Sequence, residues 1–297
     1  MPKKKKKPVE TRISILVPFQ STEAWRLNVW HWEHRYIKDH LPTAEIIVGT
    51  DPKSQKKFWR PNPKPFSKTA AVNNAFKRSH GDVIVILDAD TYIDTDVIVQ
   101  CADRIRDARE LGARVWFIPY MWIYRLTQAG TKLVLNSKPK NPYRFSSPPP
   151  EEYIEGTDGS GWGRRFGALI QIMPREAYEL VGGMDERFRG WGGEDIAFLI
   201  ALDTLWCRHT NTPNDVLHLW HPKIVAGEWI NKQGKPAEVR AWEGQESGNA
   251  NDVLANKYNS AWWNKEKMLE LLAGRDVELS LQERLSTWSQ NRKKRKK

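Results

Sequence analysis

The feature that most constrains the fold is Val83–Leu87 (VIVIL), a run of five apolar residues with the length of one strand. A strand without polar alternation is covered on both faces, as in a parallel α/β sheet. Similar short runs at residues 13–17 and 45–48 precede it, and segments of helical length separate the three. This order predicts an α/β fold with a mainly parallel sheet.

The remaining pattern extends this alternation toward the C-terminus. Residues 136–163 are rich in Pro, Ser and Gly, which predicts a long loop. We predict strands at 13–17, 45–48, 83–87, 114–118, 168–173 and 216–219, and helices at 23–38, 68–79, 96–111, 175–181, 194–205 and from about 251.

The net charge of +11 lies entirely in the two ends of the chain. Residues 3–7 and 292–297 contribute eleven basic residues and no acidic one, and without them 36 basic residues balance 36 acidic ones. A neutral body argues against a protein that only binds nucleic acid. The basic tails, predicted to be disordered, either aid solubility or make weak contacts with nucleic acid.

Membrane and secretion signals are missing from the sequence pattern. No apolar run approaches the ~18 residues of a membrane helix, and the start does not resemble a secretory signal. The two cysteines give no disulfide framework, so we expect a cytoplasmic protein without membrane contact. Fifteen tryptophans are many for this length and suit stacking on sugars or bases.

Two aspartates, Asp88 and Asp90, directly follow the VIVIL strand. In open α/β sheets, ligands bind beyond the carboxyl ends of the strands. Two carboxylates there suit Mg²⁺ or Mn²⁺, with phosphate oxygens completing the coordination. The alternative is a pair of turn or capping aspartates.

Residues 182–195 (GGMDERFRGWGGED) pack five glycines and four acidic residues into fourteen positions. Glycine permits close backbone approach to a ligand, and Trp191 between glycines can stack on a sugar. Glu194 and Asp195 open the next helix, whose positive end should keep Asp195 ionised as a proton acceptor. The alternative is a glycine-rich turn with acidic capping.

Two histidines, His218 and His221, follow a short apolar strand. Histidine is a common metal ligand, although either residue alone would more often be structural.

The segments ILVPF, KTAAVNNAF, GDVIVILDAD, GGMDERFRGWGGEDIAF and VLHLWHP occur in this order. Together they resemble the metal-dependent nucleotide-sugar glycosyltransferases of the GT-A fold, over roughly residues 12–222. The C-terminal half is most similar to the galactosyltransferase and polypeptide N-acetylgalactosaminyltransferase group. The resemblance implies a Rossmann-like α/β fold: a mixed, mainly parallel central sheet flanked by helices, with a helical C-terminal extension.

The resemblance also implies the roles of individual residues. The cofactor would be Mn²⁺ or Mg²⁺, with Asp88, Asp90 and His218 as ligands and His221 as the alternative histidine. Relatives carry arginine where this chain has Gln20. The implied donor-binding residues are Pro18, Phe19, Gln20, Asp51, Lys68, Asn73, Asp88 and Ala89.

Sugar or acceptor contacts would come from Trp191, Gly192, Gly193 and Glu194, with Asp195 and Glu194 catalytic. Retaining relatives often carry asparagine where Asp195 stands, so the chain is expected to invert. The implied reaction moves a hexose or N-acetylhexosamine from a nucleotide diphosphate sugar, with UDP inferred from the relatives, to an acceptor hydroxyl.

The same resemblance divides the chain into parts. A catalytic domain spans 12–222, with a nucleotide-binding half (12–135) and a sugar and acceptor half (164–222), followed by a mobile lid loop (223–250) and a helical extension (251–290). The acceptor is a glycan, a protein or a small molecule. Two alternatives remain: the same chemistry on modified bases in DNA, with the tails holding the DNA, and a non-catalytic carbohydrate-binding protein.

Overall fold

A computed structural model describes residues 12–21, 23–54, 66–158, 169–190, 192–222 and 250–275. The strands are β1 (Ile13–Pro18), β2 (Glu45–Gly49), β3 (Val83–Leu87), β4 (Thr91–Tyr92), β5 (Phe117–Ile118), β6 (Trp122–Leu126), β7 (Ile154–Asp158), β8 (Ile170–Pro174), β9 (Thr210–Asn211) and β10 (Asp215–His218). The helices are α1 (Ala24–His40), α2 (Lys68–Phe76), α3 (Thr95–Glu110), α4 (Gln128–Leu135), α5 (Arg175–Val181), α6 (Glu194–Leu205), α7 (Ala250–Ala261) and α8 (Lys265–Ala273), with one 3₁₀ turn at Glu151–Tyr153.

The central sheet has six strands in the order β2-β1-β3-β8-β5-β9. β1 runs parallel to both β2 and β3, whereas β8 runs antiparallel to β3 and β5. All five residues of β3 are buried, as expected for a strand covered on both faces. The prediction of a mixed, mainly parallel central sheet flanked by helices is therefore confirmed.

Side chains at the helix starts fix where the site-bearing helices begin. Ser67 caps α2 by accepting from the Ala70 N–H, and Glu23 caps α1 by accepting from the Trp25 and Arg26 N–H groups. The predicted helix over 68–79 ends earlier, at Phe76. There the backbone bonds change to the tighter three-residue spacing, with the Ser79 N–H donating to the Phe76 carbonyl.

A second sheet, in the order β4-β10-β6-β7, was not predicted. β7 lies inside the predicted loop 136–163, and the strand predicted at 114–118 begins only at Phe117. The predicted strand 216–219 is one residue out of step with β10, which pairs parallel with β6 and antiparallel with β4. This second sheet matters because β4 follows the Asp88–Asp90 turn and β10 carries His218.

The C-terminal helices α7 and α8 belong to the main hydrophobic core. Leu254, Tyr258, Met268 and Leu272 are buried in the same cluster as the central sheet. The predicted extension is thus helical through Ala273, and residues 276–290 lie outside the described ranges. Among the described residues, no helix combines the length and apolar character needed to cross a membrane.

Candidate active site at the carboxyl edge of the sheet

The turn after β3 brings Asp88 and Asp90 to the carboxyl edge of the sheet. The Asp88 N–H donates to the Leu169 carbonyl at 2.8 Å, and the Thr91 N–H donates to the Asp88 carbonyl at 3.1 Å. The Asp90 carbonyl in turn accepts from the Leu219 N–H at 2.8 Å. These backbone bonds hold the end of β10 beside the two aspartates.

Asp90, His218 and His221 form a compact group of possible metal ligands. The Asp90 carboxylate lies 3.1 Å from His221 Nε2 and 3.8 Å from His218 Nε2. The three ligand atoms all lie within 4.8 Å of one another, close enough to share one cation. We call these three residues the cation cluster.

The protonation states of the cation cluster favour metal binding. Although burial opposes it, His218 and His221 hold the pKa of Asp90 well below its usual range. Burial lowers the pKa of His218, against the opposing effect of Asp90, which favours the neutral imidazole that binds metals. One ionised carboxylate and two imidazoles fit a divalent transition metal, so the residues present suit the implied cofactor.

Asp88 faces a different partner from the one predicted. Its carboxylate lies 2.7 Å from Lys68 Nζ, and the same ammonium lies 2.8 Å from the Asp195 carboxylate. Against the opposing effect of burial, Asp195 and Asp88 raise the pKa of Lys68, which keeps it charged. Of the predicted ligands, Asp90 and His218 lie together with His221, the alternative histidine, whereas Asp88 contacts Lys68, so the ligand roles of these residues stay predictions.

Asp195 and Glu194 lie in the first turn of α6, as the sequence predicted. Glu194 is buried and its carboxylate accepts from the Gly192 N–H at 3.0 Å. Burial raises the pKa of Asp195 to about 8, with Lys68 acting in the opposite direction. Burial therefore opposes the effect of the helix terminus on Asp195, and the ionised state expected from the sequence stays a prediction.

The two glycines before Glu194 are required by the backbone. Gly192 has φ +111 and Gly193 has φ +84, in the region that side chains disfavour. A Cβ on Gly193 would also lie 3.0 Å from Ala255 Cβ of α7. The glycine-rich segment is thus shaped partly by the C-terminal helix. Trp191, predicted to stack on the sugar, lies outside the described residues, as do 223–249 of the predicted lid.

Four further residues that were predicted to bind the donor lie at the carboxyl edge of the central sheet: Pro18, Phe19, Gln20 and Ala89. Pro18 and Ala89 are buried, the first at the end of β1 and the second between the two aspartates. The Phe19 ring packs 5.8 Å from that of Trp30. Gln20 donates to Ser54 Oγ at 2.8 Å.

Asp51 and Asn73 are engaged within the protein instead of facing an open cleft. Asp51, 1% exposed, accepts from the Arg189 guanidinium and from the Ser67 N–H. Asn73 donates to the Met184 carbonyl and accepts from the Met184 N–H. These hydrogen bonds attach the glycine-rich segment to the end of β2 and to α2, and the donor contacts of the two residues stay predictions.

Sequence reasoning missed Arg26, whose Nη2 lies 2.8 Å from His221 Nδ1. The sequence feature that could have indicated Arg26 is a basic residue in the first turn of α1, the helix that starts just beyond β1. It also missed Arg189, which no local pattern connects with Asp51, its partner 138 residues away.

Two family models match the chain. The model for glycosyl transferase family 2 matches residues 42–172, and the model for the N-terminal domain of galactosyltransferase matches residues 157–220. The matched regions contain Asp88, Asp90, Asp195 and His218. These matches and the mixed sheet define the chain as a glycosyltransferase of the GT-A class. Within this class, the chain is similar to the galactosyltransferase and N-acetylgalactosaminyltransferase group.

Among curated proteins, the chain is 34% identical over 89 residues to chondroitin sulfate N-acetylgalactosaminyltransferase 2 of Homo sapiens, and equally to that of Mus musculus. The match covers 29% of this chain and 16% of the relative, so most of the relative's length has no counterpart in the match.

Similar solved structures include Drosophila β1,4-galactosyltransferase 7 in complex with xylobiose, at 15% identity and a TM-score of 0.39. That alignment covers 92% of this chain and 84% of the other. Glucosyl-3-phosphoglycerate synthase from Mycobacterium tuberculosis, in complex with Mn²⁺ and UDP-glucose, aligns at 14% identity and a TM-score of 0.41, covering 73% of each chain.

Proposed function

We propose that the protein transfers a hexose or N-acetylhexosamine from a UDP-sugar to an acceptor hydroxyl, with Mn²⁺ or Mg²⁺ as cofactor. The observation that carries this proposal is the Lys68 ammonium, which lies 2.7 Å from Asp88 and 2.8 Å from Asp195. This contact supports the proposal because it joins the candidate base, Asp195, to the aspartate turn after β3 at the carboxyl edge of the sheet. The family supports the reaction class.

In the proposed mechanism, Asp90, His218 and His221 are the residues that would hold the divalent cation. When bound, that cation supplies positive charge to the diphosphate that leaves the sugar. The ionised Asp195 carboxylate takes the proton of the acceptor hydroxyl. The acceptor oxygen then forms a bond to the anomeric carbon as the bond from that carbon to the diphosphate oxygen breaks. One displacement of this kind inverts the configuration.

The environment of Asp195 supports its role as base. A carboxyl group with a pKa near neutrality is a stronger proton acceptor than an ordinary aspartate, and enzymes commonly raise carboxyl pKa values by burial for this purpose. Lys68 fixes the direction of the carboxylate by hydrogen bonding to it. The buried Glu194 beside it is available to contact sugar hydroxyls.

The variant Asp195→Asn tests this assignment. It keeps the shape of the side chain but removes the proton acceptor, so transfer should be abolished while metal-dependent UDP binding persists. Because the curated relative is named as an N-acetylgalactosaminyltransferase, UDP-N-acetylgalactosamine is the first donor to assay, followed by UDP-galactose and UDP-glucose. Unchanged turnover in Asp195→Asn would reject the role of Asp195 as base.

The eleven basic residues of the tails favour a second candidate function, the same transfer to modified bases in DNA. Activity on DNA that falls steeply with salt, and is lost when both tails are removed, would select this candidate. The free cysteines Cys101 and Cys207 suit a reducing compartment, so the cytoplasm stays our proposed location.

A further inference from the structure

We propose that Arg26 is a binding residue for the diphosphate of the nucleotide-sugar donor. This inference rests on the proposed function and adds to it a residue outside the aspartate, glycine-rich and histidine segments. Arg26 lies in the first turn of α1, just beyond the carboxyl end of β1. No motif in the sequence singled it out.

The position of the guanidinium is the first observation. Arg26 Nη2 lies 2.8 Å from His221 Nδ1, and His221 Nε2 lies 3.1 Å from the Asp90 carboxylate. One imidazole ring therefore separates the guanidinium from Asp90. A diphosphate bound beside the cation cluster would lie within reach of this side chain.

The second observation is that the guanidinium of Arg26 forms no ion pair with a carboxylate in the described part of the chain, although its charge helps to lower the pKa values of Glu23 and Asp90. In that part of the chain, the hydrogen bonds of the guanidinium go to the His221 ring. Asp90 alone supplies negative charge to the cation cluster, so a bound divalent cation would leave the cluster positive. Arg26 adds to that charge, and guanidinium groups bind phosphate oxygens in paired hydrogen bonds.

The first turn of α1 is also held in place. The Glu23 carboxylate accepts from the backbone N–H groups of Trp25 at 2.9 Å and Arg26 at 2.8 Å. The Trp25 indole N–H donates to the Trp220 carbonyl at 2.7 Å, which ties α1 to the segment that contains His221. The backbone of Arg26 is thus preorganised, and only its side chain needs to turn.

His221 Nδ1 has two neighbours that one tautomer of the ring cannot both satisfy. Arg26 Nη2 lies 2.8 Å away and can only donate, whereas the Pro222 carbonyl lies 3.0 Å away and can only accept. A hydrogen on Nδ1 would be donated to the Pro222 carbonyl, and Arg26 would then lack an acceptor, which the oxygens of a diphosphate would supply.

The test is calorimetric titration of the full chain with Mn²⁺ alone, and then with UDP or inorganic pyrophosphate in the presence of Mn²⁺. Arg26→Met should weaken binding of UDP and pyrophosphate about 10- to 100-fold, the range for losing charged hydrogen bonds, without weakening Mn²⁺ binding. Arg35→Met is the matched control, because Arg35 is exposed on the same helix, and it should bind like the wild type. Arg26→Lys should recover part of the lost affinity.

Three results would overturn the inference. If Arg26→Met binds UDP and pyrophosphate as the wild type does, Arg26 does not bind the diphosphate and the proposed function is untouched. If Mn²⁺ binding weakens in parallel, Arg26 only positions His221. If the wild type itself binds neither probe with Mn²⁺, both the inference and the proposed function fail. Should Arg26→Met melt early, Arg26→Gln replaces it in the same titrations.

Discussion

The Lys68 ammonium group donates to both Asp88 and Asp195, and its Nζ lies 2.8 Å from Asp88 Oδ2 and 2.9 Å from Asp195 Oδ2. These carboxylates come from segments more than 100 residues apart, the turn after β3 and the start of α6. The buried Glu194 adds a third carboxyl group beside them. Lys68 is therefore the counterion that permits several acidic groups to share one small volume.

Replacing Lys68 should lower both the stability and the turnover of the protein. Lys68→Met leaves Asp88 and Asp195 partly buried without a counterion, and we expect a loss of about 3 kcal/mol in the free energy of unfolding. Turnover should fall at least about 100-fold, the scale of losing one oriented catalytic group. Urea denaturation and initial rates measure the two effects. Lys77→Met, at an exposed position after the same helix, should change neither; full stability of Lys68→Met would contradict this account.

The donor set of the cation cluster predicts its metal preference. Two imidazoles and one carboxylate suit a transition metal better than Mg²⁺, which favours oxygen ligands. Mn²⁺ should therefore bind more tightly than Mg²⁺, and His221→Ala should weaken Mn²⁺ binding more than Asp88→Asn does. Titration followed by electron paramagnetic resonance measures the free Mn²⁺. Equal affinity for both metals, or the reverse order of the two variants, would be incompatible with this cluster.

The pKa of Asp195 predicts how turnover depends on pH. Since burial raises this pKa to about 8, the base is mainly protonated below that pH, and the transfer rate should rise as the pH rises through 8. The folded chain also binds a proton that the unfolded chain releases above 3.8. The contribution of Asp195 to the free energy of unfolding therefore decreases between about pH 4 and pH 8. A rate at saturating substrate that is flat from pH 5 to 9 would refute the assignment.

The buried ion pair between Arg189 and Asp51 should be a stability element. Asn251 of α7 braces it by donating to the Arg189 carbonyl at 2.9 Å. Arg189→Met leaves Asp51 as a buried charge without its partner, which should cost about 3 kcal/mol in urea denaturation. Lys53→Met changes an exposed side chain next to the same loop and should have little effect. Equal stability of the two variants would show that the pair contributes nothing.

The sequence was most informative where one segment alone determines the structure. The apolar composition of β3 predicted its burial, and a glycine-rich turn was one of the two interpretations of residues 182–195. Strands such as β4 and β9, with two residues each, form only because distant partners pair with them. Two residues are too few to show the alternation of apolar and polar residues by which a strand is predicted from sequence.

The site was partly predictable for the same reason. Asp90 and His218 could be selected by their place at the ends of apolar strands, but only the folded chain shows that Asp88 contacts Lys68 and that His221 lies beside Asp90. The pKa of Asp195 could not be predicted from its position at a helix start, because burial is a property of the folded chain. Arg26 needed the contact between α1 and the segment after β10.

The most direct test of the central claim is a thermal melt of the wild type and of Asp90→Asn with UDP-sugars, with and without Mn²⁺. Ligands that bind only the native state raise its melting temperature. We predict that at least one UDP-sugar stabilises the wild type only when Mn²⁺ is present, and that Asp90→Asn abolishes this shift. A shift of the same size without Mn²⁺, or one that persists in Asp90→Asn, would contradict a donor site built on the cation cluster.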